Sequence, residues 1–244
     1  MTKAASGALL GALLLSAAVH AAGPETLEPY AQPGLRDIRA TIVVEKKIDA
    51  ALREIDEDEE KGYRIKKTHF SLKEPNKARV EGKYGLINIL YVINGDRKLR
   101  SAMGIRKVKN IAQSPGERYT ALEIGVLTPA LVDQLDVRFL RWETRAGKKL
   151  PLFEVRFKGE PGGARPEQIL IDPTTRVIVE RSVMFRRRPK VKQRYVYLNP
   201  VKHAGDVWLP TRVELYSPTG KLAAVTRYES VLVNGGLPDS LFQF

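Results

Sequence analysis

Few side chains in this sequence could do chemistry, and they are scattered. The histidines are His20, His69 and His203, and there is no cysteine. That absence removes disulfides, thiolate metal sites and a cysteine nucleophile together. His69 and His203 lie too far apart to form an H-E-x-x-H helix or a comparable zinc motif, and each reads as a surface or structural imidazole. There is no G-x-S-x-G elbow, phosphate-binding glycine loop or dinucleotide fingerprint. The acidic run Glu54 to Glu60 lacks the spaced oxygen ligands of a calcium loop, so it reads as a solvated turn between strands. Carboxylate pairs assembled from distant strands stay open, with no motif pointing to them. The expectation is a binding protein rather than an enzyme, with no cofactor, no metal and no catalytic residue.

One local feature stands out: the basic cluster Arg186, Arg187, Arg188, Lys190, Lys192 and Arg194, placed where two strands should connect. It has two readings. A solvated turn of this kind discourages edge-to-edge strand pairing. A dense cationic loop can also dock anionic head groups or an acidic partner. Overall the chain carries a formal charge of +13, which suits anionic partners of any kind.

The start of the chain narrows the choice. Lys3, the apolar stretch Ala8 to Val19 and the small-residue pattern Val19-His20-Ala21 predict a signal peptide over residues 1–21. The apolar stretch falls short of the roughly 20 residues that a membrane helix needs. With no cysteine after the cut there is no acylation site, so the expectation is a periplasmic protein that is not lipid-anchored. In that compartment the anions are lipid head groups, a membrane surface or another envelope protein, and not nucleic acid.

The elements beyond are β-rich. Residues 22–36, with prolines 24, 29 and 33, read as an extended lead-in. From Asp37 to Lys47 the pattern alternates strictly, with Ile38, Ala40, Ile42 and Val44 on one face. Asn94-Gly95-Asp96 is the strongest hairpin signal. Thr128 and Pro129 can open a short helix within Leu127 to Trp142, supported by the spacing of Leu131, Val132 and Leu135, with strand as the alternative for the C-terminal half. After Phe153, short alternating runs separated by Pro, Thr, Ser and Gly follow one another to Val233. This is the signature of an antiparallel meander within a single domain, residues 37–244, and a meander so long must curl.

Several segments carry a resemblance. Phe70-Ser71-Leu72-Lys73-Glu74-Pro75-Asn76-Lys77-Ala78-Arg79-Val80-Glu81 resembles the strand, Lys-x-Pro, strand hairpin of the LolA-like envelope proteins. Ile171-Asp172-Pro173-Thr174-Thr175, Val207-Trp208-Leu209-Pro210-Thr211-Arg212-Val213-Glu214 and Val233 to Phe242 are similar to the outer-membrane lipoprotein-sorting group. The resemblance implies a mainly β fold: a curved antiparallel sheet of about eleven strands forming an incomplete, half-open barrel covered by helices. It also implies an apolar cavity that binds or carries a lipid or lipoprotein acyl chain. The inward rows that could line such a cavity are Ile42, Val44, Ile89, Tyr91, Phe153, Val155 and Phe157. The other role open to such a fold is an envelope sensor that docks an anionic partner through its basic loop.

Overall fold

A computed structural model describes residues 25–160, 165–186 and 188–244. The expected signal peptide, residues 1–21, lies outside the described residues. The first half of the chain supplies β1 (Asp37–Lys47), β2 (Lys67–Lys73), β3 (Lys77–Tyr84), β4 (Ile87–Asn94), β5 (Arg97–Ala102) and β6 (Ile105–Asn110). The second half supplies β7 (Leu135–Arg145), β8 (Lys148–Phe157), β9 (Glu167–Asp172), β10 (Val177–Phe185), β11 (Arg188–His203), β12 (Val207–Tyr216) and β13 (Leu222–Val233).

All thirteen join in one sheet in the order β6-β5-β4-β3-β2-β1-β13-β12-β11-β10-β9-β8-β7. Every described pairing is antiparallel, and the first strand meets the last, Ile42 opposite Tyr228. The hairpins follow from local chemistry. Met103 and Gly104 both take positive φ, which suits the right-handed twist of the flanking strands. The sheet does not close, since β6 and β7 end it on either side. Arg106, Lys107 and Lys109 along exposed β6 blunt one of those edges.

An open curved sheet leaves its concave face to be covered, and the chain covers it twice. The lead-in reaches back over the sheet and buries Leu27, Tyr30, Ala31 and Leu35 in the core. The stretch from β6 to β7 crosses the concave face and buries Ile111, Ala121, Leu122, Ile124, Val126, Leu127 and Leu131 against Phe153, Ile169, Val177 and Tyr197. Main-chain bonds hold it there: Ile178 N–H donates to the Gly125 carbonyl at 2.8 Å, and Gln32 N–H to that of Leu127 at 2.8 Å. Tyr197 adds its hydroxyl to the Leu122 carbonyl at 3.2 Å.

A separate pair of helices, α1 (Asp49–Ile55) and α2 (Glu57–Gly62), lies between β1 and β2 in sequence. Ala51, Leu52 and Ile55 of α1 pack on Leu215, Ala223 and Ala224 at one end of the sheet.

Three expectations need correction. The acidic run is helical rather than a turn: Asp56 caps α2 by accepting from Glu59 N–H at 2.8 Å, and its acidic first turn suits a helix N-terminus. The helix after Thr128 is a single turn, α3 (Pro129–Val132), because from Leu135 onward the segment pairs with β8 as β7. Counting β7 and the β4–β6 hairpins, the sheet has thirteen strands where about eleven were implied.

Two consequences can be measured. Gly125 takes φ +77°, and a Cβ there would lie 2.6 Å from the Tyr197 ring. Gly147 has the same backbone (φ +76°) with nothing near it. G125A should therefore cost about 2 kcal/mol or more in denaturant unfolding, and G147A about 1 kcal/mol.

Glu74, in the β2–β3 turn, accepts from Thr128 Oγ1 at 2.9 Å, the side chain that caps α3. Burial pushes its carboxyl up to about 7 from 4.5. Between those values the folded form holds a proton that the unfolded form has lost, so stability falls as pH rises through the window. E74Q should flatten that fall and gain ~3 kcal/mol at pH 8, seen as a higher Tm there and an unchanged one at pH 4.

Candidate functional site

The lead-in and the crossover leave one part of the concave face uncovered. Between α2 on one side and the crossover on the other, a cavity of about 230 Å³ remains open. Its sheet wall is Ile42, Val44, Thr68, Tyr195, Val213, Thr226 and Tyr228. Its roof comes from Glu59, Gly62, Tyr63 and Ile65, and Glu123 enters from the crossover. Alternation explains the wall: even residues of β1 and β13 and odd residues of β11 and β12 all point inward.

The roof is tied down where α1 passes into α2. Glu54 of α1 accepts from Ser217 Oγ (2.8 Å), Thr219 Oγ1 (2.5 Å) and Lys221 Nζ (2.7 Å) in the β12–β13 turn. These bonds, that from Lys221 foremost, hold its carboxyl down at about 2. Asp56 pairs with Lys192 of β11.

Inside, a polar network runs along one wall. Arg181 grips Glu167 with Nε at 2.5 Å and Nη2 at 3.0 Å, and reaches Glu123 only at 3.5 Å. Glu123 accepts from Thr120 N–H at 2.6 Å and Thr120 Oγ1 at 3.0 Å, closing a capping box. Gln193 donates through Nε2 to Tyr195 Oη at 2.6 Å and to Glu59 at 3.4 Å. Burial raises both Glu59 and Glu123 above the ordinary carboxylate range. It raises the phenols of Tyr63, Tyr195 and Tyr228 as well, so all three stay neutral at physiological pH.

The residues expected to line one cavity share the concave face but not one space. Ile42 and Val44 line the cavity just described. Phe153 and Val155 are 0% and 1% exposed in the filled core beneath the crossover. Phe157 packs against that core at the rim, and Tyr91 lines a shallow depression toward β6. Ile89 borders a larger groove of about 830 Å³ at the outer rim, with Arg64, Lys66, Lys67, His69 and Lys83.

Within the basic cluster, Arg186 pairs with Glu160 at 2.7 Å and Lys192 with Asp56. Arg194 stands 3.6 Å from Glu180 and lies over the Tyr216 ring at 4.6 Å. Lys190 is exposed, Arg188 opens β11, and Arg187 lies outside the described residues. Unpaired positive charge falls instead on the other wing, where Lys66, Lys67, Lys83, Arg106 and Lys107 make no salt bridge among the described residues.

His69 sits on the outer face beside Thr41, with Nδ1 3.3 Å from Oγ1, and His203 ends β11, far along the sheet. Among the described residues no three His, Asp or Glu side chains are grouped to hold a metal. Sequence reasoning missed Glu59, Tyr63 and Glu123. The first two had a signal: Asp56 before Glu57-Asp58-Glu59 is a helix start, which puts Glu59 and Tyr63 on one side, four residues apart.

No family model matches the sequence, and no curated protein matches it. Solved structures do match in three dimensions. A LolA-superfamily protein from Nitrosomonas europaea superposes with TM-score 0.62 at 11% identity, over 90% of this chain and 98% of that one. The fold is LolA-like. A Vibrio parahaemolyticus domain classed with outer-membrane lipoprotein-sorting proteins gives TM-score 0.59 at 9% identity, over 89% of this chain and 93% of that one. A DUF1329-family protein from Desulfovibrio piger gives 0.51 at 12% identity, over 89% and 92%. At such identities the likeness is one of LolA-like architecture.

Proposed function

We propose that this chain is a periplasmic binding protein for a lipid-like, amphipathic ligand, held under α2 against the inner face of β1 and β11–β13. The observation that carries this reading is the unfilled space itself. The crossover packs the concave face tightly around Phe153 and Tyr197, while Ile42, Val44, Ile65 and Val213 face about 230 Å³ of open volume. Each methylene that such walls take from water gains about 0.8 kcal/mol, so part of an alkyl chain binds there without covalent chemistry.

Non-covalent carriage fits the side chains present. No histidine, serine or lysine lines the cavity. The LolA-like architecture and the lipoprotein-sorting classification of a structural neighbour support the same class of ligand. The signal-like start of the chain supports envelope export, and the cysteine-free sequence supports a protein without a lipid anchor.

The reading is tested by filling the space. V44W should lower uptake of a fluorescent fatty acyl or alkyl probe by about tenfold or more. Its Tm should stay within a few degrees of the parent, since Val44 borders open volume. Mass spectrometry of the purified protein should find co-purifying amphiphile that V44W lacks. Unchanged uptake by V44W, or no uptake by the parent, would refute the reading.

A further inference from the structure

The cavity has a charge opposite to that of the protein around it. Four carboxylates (Asp56, Glu59, Glu123 and Glu167) stand in or beside it, against two cations, Lys192 and Arg181. Both cations are already used: Lys192 pairs with Asp56, and Arg181 holds Glu167 with two bonds. This happens in a chain of formal charge +13, so background composition does not account for it.

The hydrogen-bond inventory leans the same way. Glu59 and Glu123 are pure acceptors when ionised, and each has an oxygen served only by a long contact, 3.4 Å and 3.5 Å. Gln193 is 6% exposed, and its Oε1 has no partner among the described residues. The amide is oriented by Glu59, for reversing it would set its oxygen against a carboxylate. Both carboxylates are thus poorly served by donors, and burial already disfavours them as unpaired anions.

The remaining walls are aromatic. Tyr63, Tyr195 and Tyr228 line the same 230 Å³, each a neutral ring with a negative face, and that of Tyr195 already carries the Arg181 guanidinium at 5.6 Å from its centroid. Rings gathered round a small volume are how proteins recognise ammonium groups, and carboxylates beside them act as counter-ions. The fit excludes the common alternative: a fatty-acid carboxylate placed here would meet two carboxylates and no free cation.

Taking the cavity as an amphiphile site, we propose that it selects an alkylammonium head group, seated among Tyr63, Tyr195 and Tyr228 with Glu59 and Glu123 as its counter-ions. The occupant is an amphiphile with a cationic or quaternary amine, its alkyl part running along Ile42, Val44 and Val213.

The test uses the full chain and three probes of one chain length: decyltrimethylammonium, decanoate and 1-decanol, each below its micellar concentration, by titration calorimetry. The cation should bind about tenfold or more tighter than decanoate, although the bulk charge of the protein favours the anion at every nonspecific contact. E59Q combined with E123Q should abolish that preference, bringing the affinities for the cation and for decanoate to within about twofold of each other. Gln at residue 123 keeps the capping box, and E59Q alone should lose part of the preference if the double variant fails to fold.

Decanoate binding as tightly as the cation, or a preference that survives both substitutions, would overturn the head-group assignment while leaving the amphiphile cavity standing. Binding of none of the three probes would overturn both.

Discussion

The structure depends on one constraint: a thirteen-stranded sheet that curls but does not close must have its concave face covered by its own chain. β1 pairing with β13 sets the order, and the two free edges, β6 and β7, follow from it. The connection between those edges has to cross the hollow, and it crosses as a packed apolar segment rather than a loose loop. Gly125 under the Tyr197 ring, and Ile178 bonded to the Gly125 carbonyl, show how closely it is seated. Most of what could have been a barrel lumen is thereby a solid core.

What the crossover leaves, α1 and α2 enclose. These helices are short, and little of their stability can come from helix propagation. They are held by tertiary bonds: Glu54 to the β12–β13 turn, Asp56 to Lys192, and Leu52 with Ile55 on the sheet. A roof held by a few charged contacts where α1 passes into α2, and by apolar contacts at its base, is suited to admit a ligand. The rigid wall beneath it is five neighbouring strands of one continuous sheet, β2, β1, β13, β12 and β11, which fixes the relative positions of Ile42, Tyr195, Val213 and Tyr228. The result is a LolA-like scaffold that is filled under the crossover and left open under α2.

Strand order was legible wherever alternation and turn chemistry agreed. Asp37–Lys47 and Leu222–Val233 have the bounds that their alternating residues indicate, and the Asn94-Gly95 turn joins the strands it should. Legibility failed where two patterns competed. Thr128-Pro129 starts a helix, and Leu131, Val132 and Leu135 continue its spacing, yet Leu135, Val137 and Phe139 also alternate, and pairing with β8 decided for strand. The acidic run was opaque for a different reason. Its charges suggest solvent, whereas Asp56 and the carboxylates after it stabilise a helix start, and Asp56 and Glu59 reach Lys192 and Gln193 on the sheet. The inward rows were correctly phased but could not reveal depth. Phe153 and Ile42 share a face, and the crossover, contributed by residues more than twenty positions before Phe153, decides that one is core and the other is cavity wall.

The central claim is that amphiphile binds under α2 and nowhere else on the concave face. Photo-crosslinking with a diazirine-bearing alkyl probe, followed by peptide mapping, tests it most directly. The account predicts labels in residues 42–44, 59–68 and around Tyr195, Val213 and Tyr228, suppressed by excess unlabelled probe. Saturable labelling concentrated instead on the β3–β6 wing or around Phe153 and Phe157 would contradict it.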